Sequence, residues 1–228
     1  MVYLGEDMET IGIITLGQTP RPDLEKVFRR HLPDTKLLIR GGLDDVPTPE
    51  IDALAAAGGE YPLFVILRDG SHREISLHRL KPFLDTRARQ VAGEGAAVSA
   101  LMCAGNFPDL DSPIPMIYPS RILTAVARGI CRGSRIGVIT PNDGQVAAAT
   151  AHWRAQGFHP AVTAASPLDP EALSRAADAL ADPGLELIVL DCMGFPPAAA
   201  RRMRTLCGRP VLYPQGLVPR VMAEMLGV

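Results

Sequence analysis

The hydrophobic residues of this chain fall into two alternating patterns, short unbroken apolar runs and longer amphipathic segments. Unbroken runs are typical of strands buried on both faces, and amphipathic segments with a helical period separate most of them. This alternation predicts an α/β fold with parallel sheets that are covered by helices. The predicted strands are residues 11–17, 35–40, 97–103, 135–140, 161–165, 187–191 and 210–212. The predicted helices are residues 22–31, 48–57, 78–91, 120–131, 144–156, 170–180, 198–206 and a closing helix that ends at 226.

One stretch departs from the alternation. Residues 63–68 and 73–77 carry apolar side chains on either side of Asp69-Gly70. Asp-Gly between two such segments is typical of a β-hairpin with a two-residue loop. We therefore predict a β-hairpin here. Residues 109–119 are rich in proline, and we predict an irregular segment that crosses between two parts of the chain.

The phrase of the first strand occurs twice. Ile11-Gly-Ile-Ile-Thr15 returns almost letter for letter within Arg135-Ile-Gly-Val-Ile-Thr140. From Ile11 to Cys103 is 92 positions, and from Ile136 to Cys192 is 56. The difference, 36, is roughly the size of the hairpin with its flanks, which indicates an insertion in the first copy.

The repeat predicts two similar α/β halves. We place the first, with its hairpin insertion, at residues 1–118 and the second at residues 119–228, with the final helix free to pack back on the first half. Ligands of open α/β sheets bind outside the carboxyl ends of the strands. The functional residues are therefore expected at those strand ends.

Two cysteines lie at such strand ends, in similar surroundings. Val98-Ser-Ala-Leu-Met-Cys-Ala-Gly-Asn-Phe-Pro108 and Leu187-Ile-Val-Leu-Asp-Cys-Met-Gly-Phe-Pro-Pro197 both run from apolar residues into Cys-x-Gly, with Phe-Pro soon after. A thiolate and a thiol on opposite sides of one cleft could remove and return a proton on a carbon acid. Cys103 and Cys192 are therefore the candidate catalytic pair. The alternative is that both are small buried hydrophobes, as we expect for Cys131 and Cys207.

Further candidates lie near the same strand ends. Arg21 follows the first strand, and its guanidinium could pair with a substrate carboxylate, although it could equally be an exposed residue of a first helical turn. Free backbone N–H groups of the Cys-x-Gly turns could hold an anion. The predicted binding residues are Gly17, Gln18, Arg21, Gly105, Asn106, Ser120, Arg121, Thr140 and Gly194.

Composition excludes several classes of function. The net charge is −2 and the basic residues are scattered, so nucleic-acid binding is not expected. No apolar run approaches the roughly 20 residues of a membrane span, and the acidic N-terminus does not resemble a signal peptide. Four cysteines without a Cys-x-x-Cys pair suggest reduced thiols in a cytoplasm. The histidines do not cluster and no phosphate-binding loop occurs, so we predict no metal and no cofactor.

Several of these phrases resemble the AroM protein family. The resemblance spans nearly the whole chain in the same order. Its residues are Ile11–Asp23, Leu101–Pro108, Pro119–Leu123, Gly137–Pro141, Gln145, Trp153, Ser166-Pro167 and Leu190–Phe195.

More distantly, the layout is similar to that of the aspartate/glutamate racemase superfamily. This resemblance implies two flavodoxin-like halves, one cysteine from each half, and cofactor-independent chemistry on a carboxylate. The residues that assist the cysteines in glutamate racemases differ here. Met193 and Gly194 stand where a threonine and a histidine follow the second cysteine, and Ala104 and Gly105 stand where Asn-Thr follows the first. Thr15 corresponds to the aspartate that is expected after the first strand. Amino-acid racemization is therefore less expected than the fold implies, and a more acidic carbon acid is favoured.

The leading hypothesis is a cofactor-independent isomerase, racemase or lyase that acts on a small carboxylate. The alternative is a regulatory protein that binds a carboxylate or another metabolite without chemistry. The expected partner is a small carboxylate-bearing molecule, and a homodimer is compatible with the sequence.

Overall fold

A computed structural model of the chain describes residues 9–228. The expectation that the N-terminus is not a signal peptide concerns mainly residues 1–8, which lie outside this range. The strands are β1 (Thr10–Thr15), β2 (Lys36–Gly41), β3 (Pro62–Ile66), β4 (His72–Ser76), β5 (Val98–Leu101), β6 (Met116–Ile117), β7 (Arg135–Thr140), β8 (His159–Ala164), β9 (Leu187–Leu190) and β10 (Val211–Leu212). The helices are α1 (Pro22–Arg29), α2 (Thr48–Ala56), α3 (Leu77–Gly93), α4 (Pro119–Ile130), α5 (Val146–Ala155), α6 (Pro170–Ala179), α7 (Pro197–Cys207) and α8 (Pro214–Leu226).

Two four-stranded parallel sheets with the same topology confirm the predicted fold class. Their strand orders are β2-β1-β5-β6 and β8-β7-β9-β10. The central strands are buried along nearly their whole length because helices cover both of their faces. The repeat therefore exists in three dimensions, with β1 equivalent to β7 and β5 equivalent to β9.

The two sheets also share their strand register. Ile14 of β1 pairs with Leu101 of β5, and Ile139 of β7 pairs with Leu190 of β9. Both cysteines follow these paired leucines by two residues. The equivalence thus extends to the strand ends, where it places the two thiols at matching positions.

The insertion in the first half is α2 followed by an antiparallel hairpin of β3 and β4. Leu67 N–H donates to the Ser71 carbonyl, so the loop is the three residues Arg68–Gly70 instead of the predicted two. Gly70 adopts φ +82°, the left-handed conformation that this longer loop requires and that glycine adopts without strain.

The proline-rich crossing contains a strand that the sequence did not predict. β6 has only two residues, and it pairs Met116 with Ser99 of β5. At the other end of the chain, α8 packs against the first half, where Val218 and Met222 share a hydrophobic cluster with Ile11 and Phe28. The boundary between residues 118 and 119 stays a prediction.

Candidate active site

The two Cys-x-Gly turns meet where the two halves face each other. Ala104, next to Cys103, packs in a hydrophobic cluster with residues of the second half, including Ile136. Met193, next to Cys192, packs in a cluster with residues of the first half, including Ile11. Each turn therefore inserts one residue into the other half, and both cysteines line one shared cavity.

The cavity is small. Its volume is about 40 Å³. This is room for roughly three water molecules. The side chains around it are mostly apolar, apart from the two thiols, Arg21, Thr15, Gln145 and Asp191. A substrate must therefore be small, or the walls must move to admit it.

The glycine of each Cys-x-Gly turn has a physical role. Gly194 N–H donates to Cys192 Sγ at 3.2 Å, and a backbone hydrogen bond from Gly105 lowers the pKa of the Cys103 thiol. A Cβ at Gly105 would lie 2.8 Å from the hydroxyl of Tyr61, so a larger residue would collide with it. The repeated phrase thus places a glycine N–H beside each sulfur.

Burial dominates the electrostatics of both thiols, although Cys103 is buried and Cys192 as a whole residue is half-buried. It raises the pKa of Cys103 and of Cys192 to about 12, and the negative charge of Asp191 also raises both pKa values. The hydrogen bonds from Gly105 and Gly194 act in the opposite direction. Only for Cys192 does the guanidinium of Arg21 lower the pKa. Both thiols are therefore neutral near pH 7 in the ligand-free site, and Cys192 has the surroundings that better support a thiolate.

Arg21 reaches the cavity from the turn before α1. Its Nη1 donates to Thr15 Oγ1 at 3.0 Å, and its Nε and Nη2 form a fork on the carboxylate of Asp23. The side chain is 10% exposed, while Asp23 faces solvent. The hydroxyl hydrogen of Thr15 has no acceptor within residues 9–228. Arg21 and Thr15 can thus offer positive charge and a donor to a ligand carboxylate.

Asp191 is the acidic group of the cavity. The residue is 8% exposed, and Oδ2 accepts a hydrogen bond of 3.0 Å from the indole Nε1 of Trp153. Oδ1 is buried and has no hydrogen-bond partner in the described part of the chain. Burial raises the pKa of Asp191 to about 6, while the Trp153 hydrogen bond lowers it.

The hairpin forms one wall of the cavity through Leu63, Phe64 and Ile66 of β3. Two hydrogen bonds of 2.7 Å fasten it to the second half, one from Gln145 Nε2 to the Pro62 carbonyl and one from Asn142 Nδ2 to Glu74. The insertion in the first half therefore spans the cavity and contacts the other half.

Five of the predicted site residues come together in this cavity. They are Cys103, Cys192, Arg21, Gly105 and Gly194. The other predicted residues do not line it.

Gly17 and Gln18 hold the hairpin. A Cβ at Gly17 would lie 1.9 Å from the Ile66 carbonyl oxygen, so only glycine allows β3 to come this close. Gln18 N–H donates to the same oxygen at 3.1 Å. The Gln18 side chain donates to the Leu43 carbonyl and accepts from Arg68 N–H, so its amide points away from the cavity.

The remaining four predicted binding residues are engaged elsewhere. Asn106 is exposed, and its N–H donates to the Tyr61 hydroxyl. Ser120 is buried in the first turn of α4, where its carbonyl accepts from Thr124. Arg121 pairs with Asp109 and lies over the ring of Tyr118. The Thr140 hydroxyl donates to the carbonyl of Asn142.

Sequence reasoning missed Asp191 and Gln145 as site residues. Asp191 immediately precedes Cys192, and a carboxylate at the end of an apolar strand is a signal that could have been used. Gln145 reaches the cavity because a 3-10 turn at Asp143–Gln145 precedes α5, and no pattern in the sequence indicates that direction.

Two further observations concern ligands and membranes. Among residues 9–228, no group of three or more histidine, cysteine, aspartate or glutamate side chains could hold a metal ion. Within the same residues, no helix is long and apolar enough to cross a membrane.

Known structures share this architecture. Maleate isomerase from Pseudomonas putida S16 matches with a TM-score of 0.65 and 14% identity, over 97% of this chain and 94% of that chain. Glutamate racemase from Bacillus anthracis matches with a TM-score of 0.66 and 13% identity, over 96% and 82%. A mutant of arylmalonate decarboxylase in a liganded form matches with a TM-score of 0.64 and 18% identity, over 96% and 92%. The chain therefore has a racemase-like fold of two flavodoxin-like halves.

The family is narrower than this fold class. Residues 11–226 match the family model described as AroM protein. The chain belongs to the AroM protein family, as the resemblance of its motifs predicted. No curated protein matches its sequence.

Proposed function

We propose that this protein is a cofactor-independent isomerase, racemase or lyase that uses Cys103 and Cys192 on a small carboxylate. The observation that carries the proposal is the equivalent placement of the two thiols. Matching strand register brings them to one cavity from two halves of the same topology. A carbon acid bound between them would present one face to each sulfur.

The surroundings of the two thiols suggest different roles. General acid–base catalysis needs one deprotonated group and one protonated group. Arg21 favours the thiolate of Cys192, so Cys192 is the proposed base. Cys103 has no such cation, so it is the proposed acid that returns a proton to the opposite face. Arg21 and Thr15 would bind the carboxylate of the substrate.

The named activities of proteins with this fold define a panel of candidate substrates. Arylmalonate decarboxylase, maleate isomerase, and aspartate and glutamate racemases act, by their names, on small carboxylates. The apolar lining of Met193, Met102 and Phe64 favours the less polar members. An arylmalonate also has the more acidic carbon that a site without the usual helper residues would need.

The proposal is tested by following each candidate in D₂O by nuclear magnetic resonance. We expect deuterium incorporation, isomerization or carbon dioxide release with the parent protein. Cys103→Ser and Cys192→Ser should each lower the rate by at least about 100-fold, the usual contribution of a positioned acid or base. Cys131→Ser and Cys207→Ser are matched controls, since neither cysteine lines the cavity. Equal rates in all four variants would contradict the proposal.

The second candidate function is a carboxylate-binding protein without chemistry. The observation that favours it is the raised pKa of about 12 of both thiols, which leaves neither ionised at neutral pH in the ligand-free site. Ligand binding with no turnover of any panel member would support this function. Thermal shift measurements with the same panel report binding and the D₂O experiment reports turnover, so the two together separate the candidates.

Three further expectations are part of the proposal. The units would be residues 1–118 and 119–228, and the assembly a homodimer. The protein would act in the cytoplasm, in line with its four free cysteines. Light scattering tests the homodimer, and an immunoblot of cell fractions tests the cytoplasmic location.

A further inference from the structure

Asp191 has an unusual position for a carboxyl group. It lines the cavity beside both thiols and is more than nine-tenths buried, with a single hydrogen-bond donor, Trp153. An ionised carboxylate in such surroundings would leave Oδ1 without a donor, and unpaired buried charge is costly. The neutral acid suits these surroundings better, because Oδ2 still accepts from Trp153.

A neutral Asp191 is also a hydrogen-bond donor. With Oδ2 occupied by the indole, the proton belongs on Oδ1, the oxygen that has no partner in the described chain. An acid kept neutral by an apolar site can donate to a carbonyl or to a developing oxyanion. The cavity then has two groups that can recognise ligand oxygens, Arg21 with Thr15 and, separately, Asp191.

We propose that Asp191, as a neutral carboxylic acid, donates a hydrogen bond to a second acceptor oxygen of the substrate, so that the site takes carboxylates with another carbonyl or carboxyl group close to the reacting carbon. This inference rests on the proposed function, because it assumes that the ligand lies between the two cysteines. It assigns to Asp191 the recognition of the second oxygen-bearing group, which every member of the candidate panel carries.

The charged and titratable groups around Asp191 support a protonation-dependent site. Cys192 follows it on the same turn, Cys103 faces it from the end of β5, and Tyr61 interacts with it from the segment before β3. Arg21 is the cation of the cavity. His152 precedes Trp153 on α5, and its ring contacts Thr124 and not Asp191.

The charge state of Asp191 would also affect the thiols. Its negative charge raises the pKa of both cysteines, so the neutral form removes one obstacle to a thiolate. Burial raises the pKa of Asp191 to about 6, which means that the donor form is lost as the pH rises above this value.

The test is the pH dependence of binding of oxamate, a small carboxylate with an adjacent carbonyl that stays ionised and cannot be turned over by proton removal. Isothermal titration calorimetry should show affinity falling about 50-fold between pH 6 and pH 8, as the neutral fraction of Asp191 falls from about one half to about one hundredth. Asp191→Asn keeps an acceptor for Trp153 and a permanent donor for the ligand. Its affinity should vary less than about threefold over the same range.

Trp153→Phe provides a second variant. It removes the donor that stabilises the ionised carboxylate, so the loss of oxamate binding should move to higher pH. Equal pH dependence in the parent and Asp191→Asn, a flat parent profile, or no binding of oxamate at pH 6 would overturn the inference.

Failure of this inference is distinguishable from failure of the proposed function. Oxamate binding reports on Asp191 without turnover, whereas the cysteine variants report on turnover of the substrate panel. A catalyst whose oxamate affinity ignores pH would refute only the role of Asp191. A protein that binds oxamate as expected but turns over no substrate would refute only the catalytic proposal.

Discussion

Replacement of Asp191 by asparagine should change the stability of the protein, relative to the parent, more favourably at neutral pH than at acidic pH. Burial raises the pKa of Asp191 to about 6 in the folded protein, against an ordinary value of 3.8 in an unfolded chain. Between these values the folded state binds more protons than the unfolded state, so stability falls as the pH rises from about 4 to about 6. Above pH 6 the free energy of unfolding has fallen by its full amount, which is about 3 kcal/mol for a pKa that changes from 3.8 to about 6.

The magnitude is best measured as a difference between two pH values. The asparagine side chain of the Asp191→Asn variant would carry no charge, but its amide group in the ligand-free site can lack a partner, which costs about 1–3 kcal/mol at any pH. Urea unfolding of the parent and of Asp191→Asn at pH 4 and pH 7.5 cancels this constant contribution. The stability of the variant relative to the parent should increase by about 2–3 kcal/mol between the two pH values.

Asp178→Asn is the matched control, because Asp178 is exposed on α6. Its stability relative to the parent should stay within about 0.5 kcal/mol at both pH values. If the stability of Asp191→Asn relative to the parent did not change between pH 4 and pH 7.5, Asp191 would be stabilised as a carboxylate by groups other than Trp153. The reasoning about a neutral acid would then be wrong.

Three other predictions follow from the hairpin and the thiols. Gly17→Ala should destabilise the protein by about 1–3 kcal/mol in urea unfolding, because the new Cβ would meet the Ile66 carbonyl. The control is Gly129→Ala on α4, which should be neutral or stabilising because its Cβ would meet nothing within 4 Å. Glu74→Ala removes the partner of Asn142, so amide hydrogen exchange of β3 and β4 should become faster while that of β7 stays unchanged. Cys103 and Cys192 should react with iodoacetamide at pH 7.5 about a thousandfold more slowly than an ordinary thiol, since burial raises both pKa values to about 12. Peptide mass mapping measures the labelling rates, with Cys207 as the internal comparison. Rapid labelling of both Cys103 and Cys192 would contradict the prediction.

Much of the fold was predictable because buried parallel strands leave a simple pattern. β1, β5, β7 and β9 are buried and mostly apolar, and each begins or ends within about two residues of its prediction. β6 was missed because two residues beside prolines carry no pattern of their own. It exists because Ser99 N–H of β5 finds the Pro115 carbonyl, a tertiary contact.

The candidate site was predictable only in part, for a related reason. Strand ends of parallel sheets collect at one edge, so Cys103 and Cys192 could be placed from the sequence. Gln18 lies at the same edge but serves the hairpin, and the hairpin in turn brings Phe64 into the cavity. Such roles depend on where the hairpin packs. The local sequence around Gln18 or Phe64 does not indicate that position.

The duplication is symmetric in its backbone and asymmetric in its charges. Strand register makes Met102 the counterpart of Asp191, and both line the cavity. Met102 N–H donates to Ile14 just as Asp191 N–H donates to Ile139. Two equivalent thiols would otherwise be interchangeable, as suits a substrate that is handled alike from both faces. A carboxyl group on one side only makes the surroundings of Cys103 and Cys192 different, which suits the different acid and base roles proposed for the two cysteines.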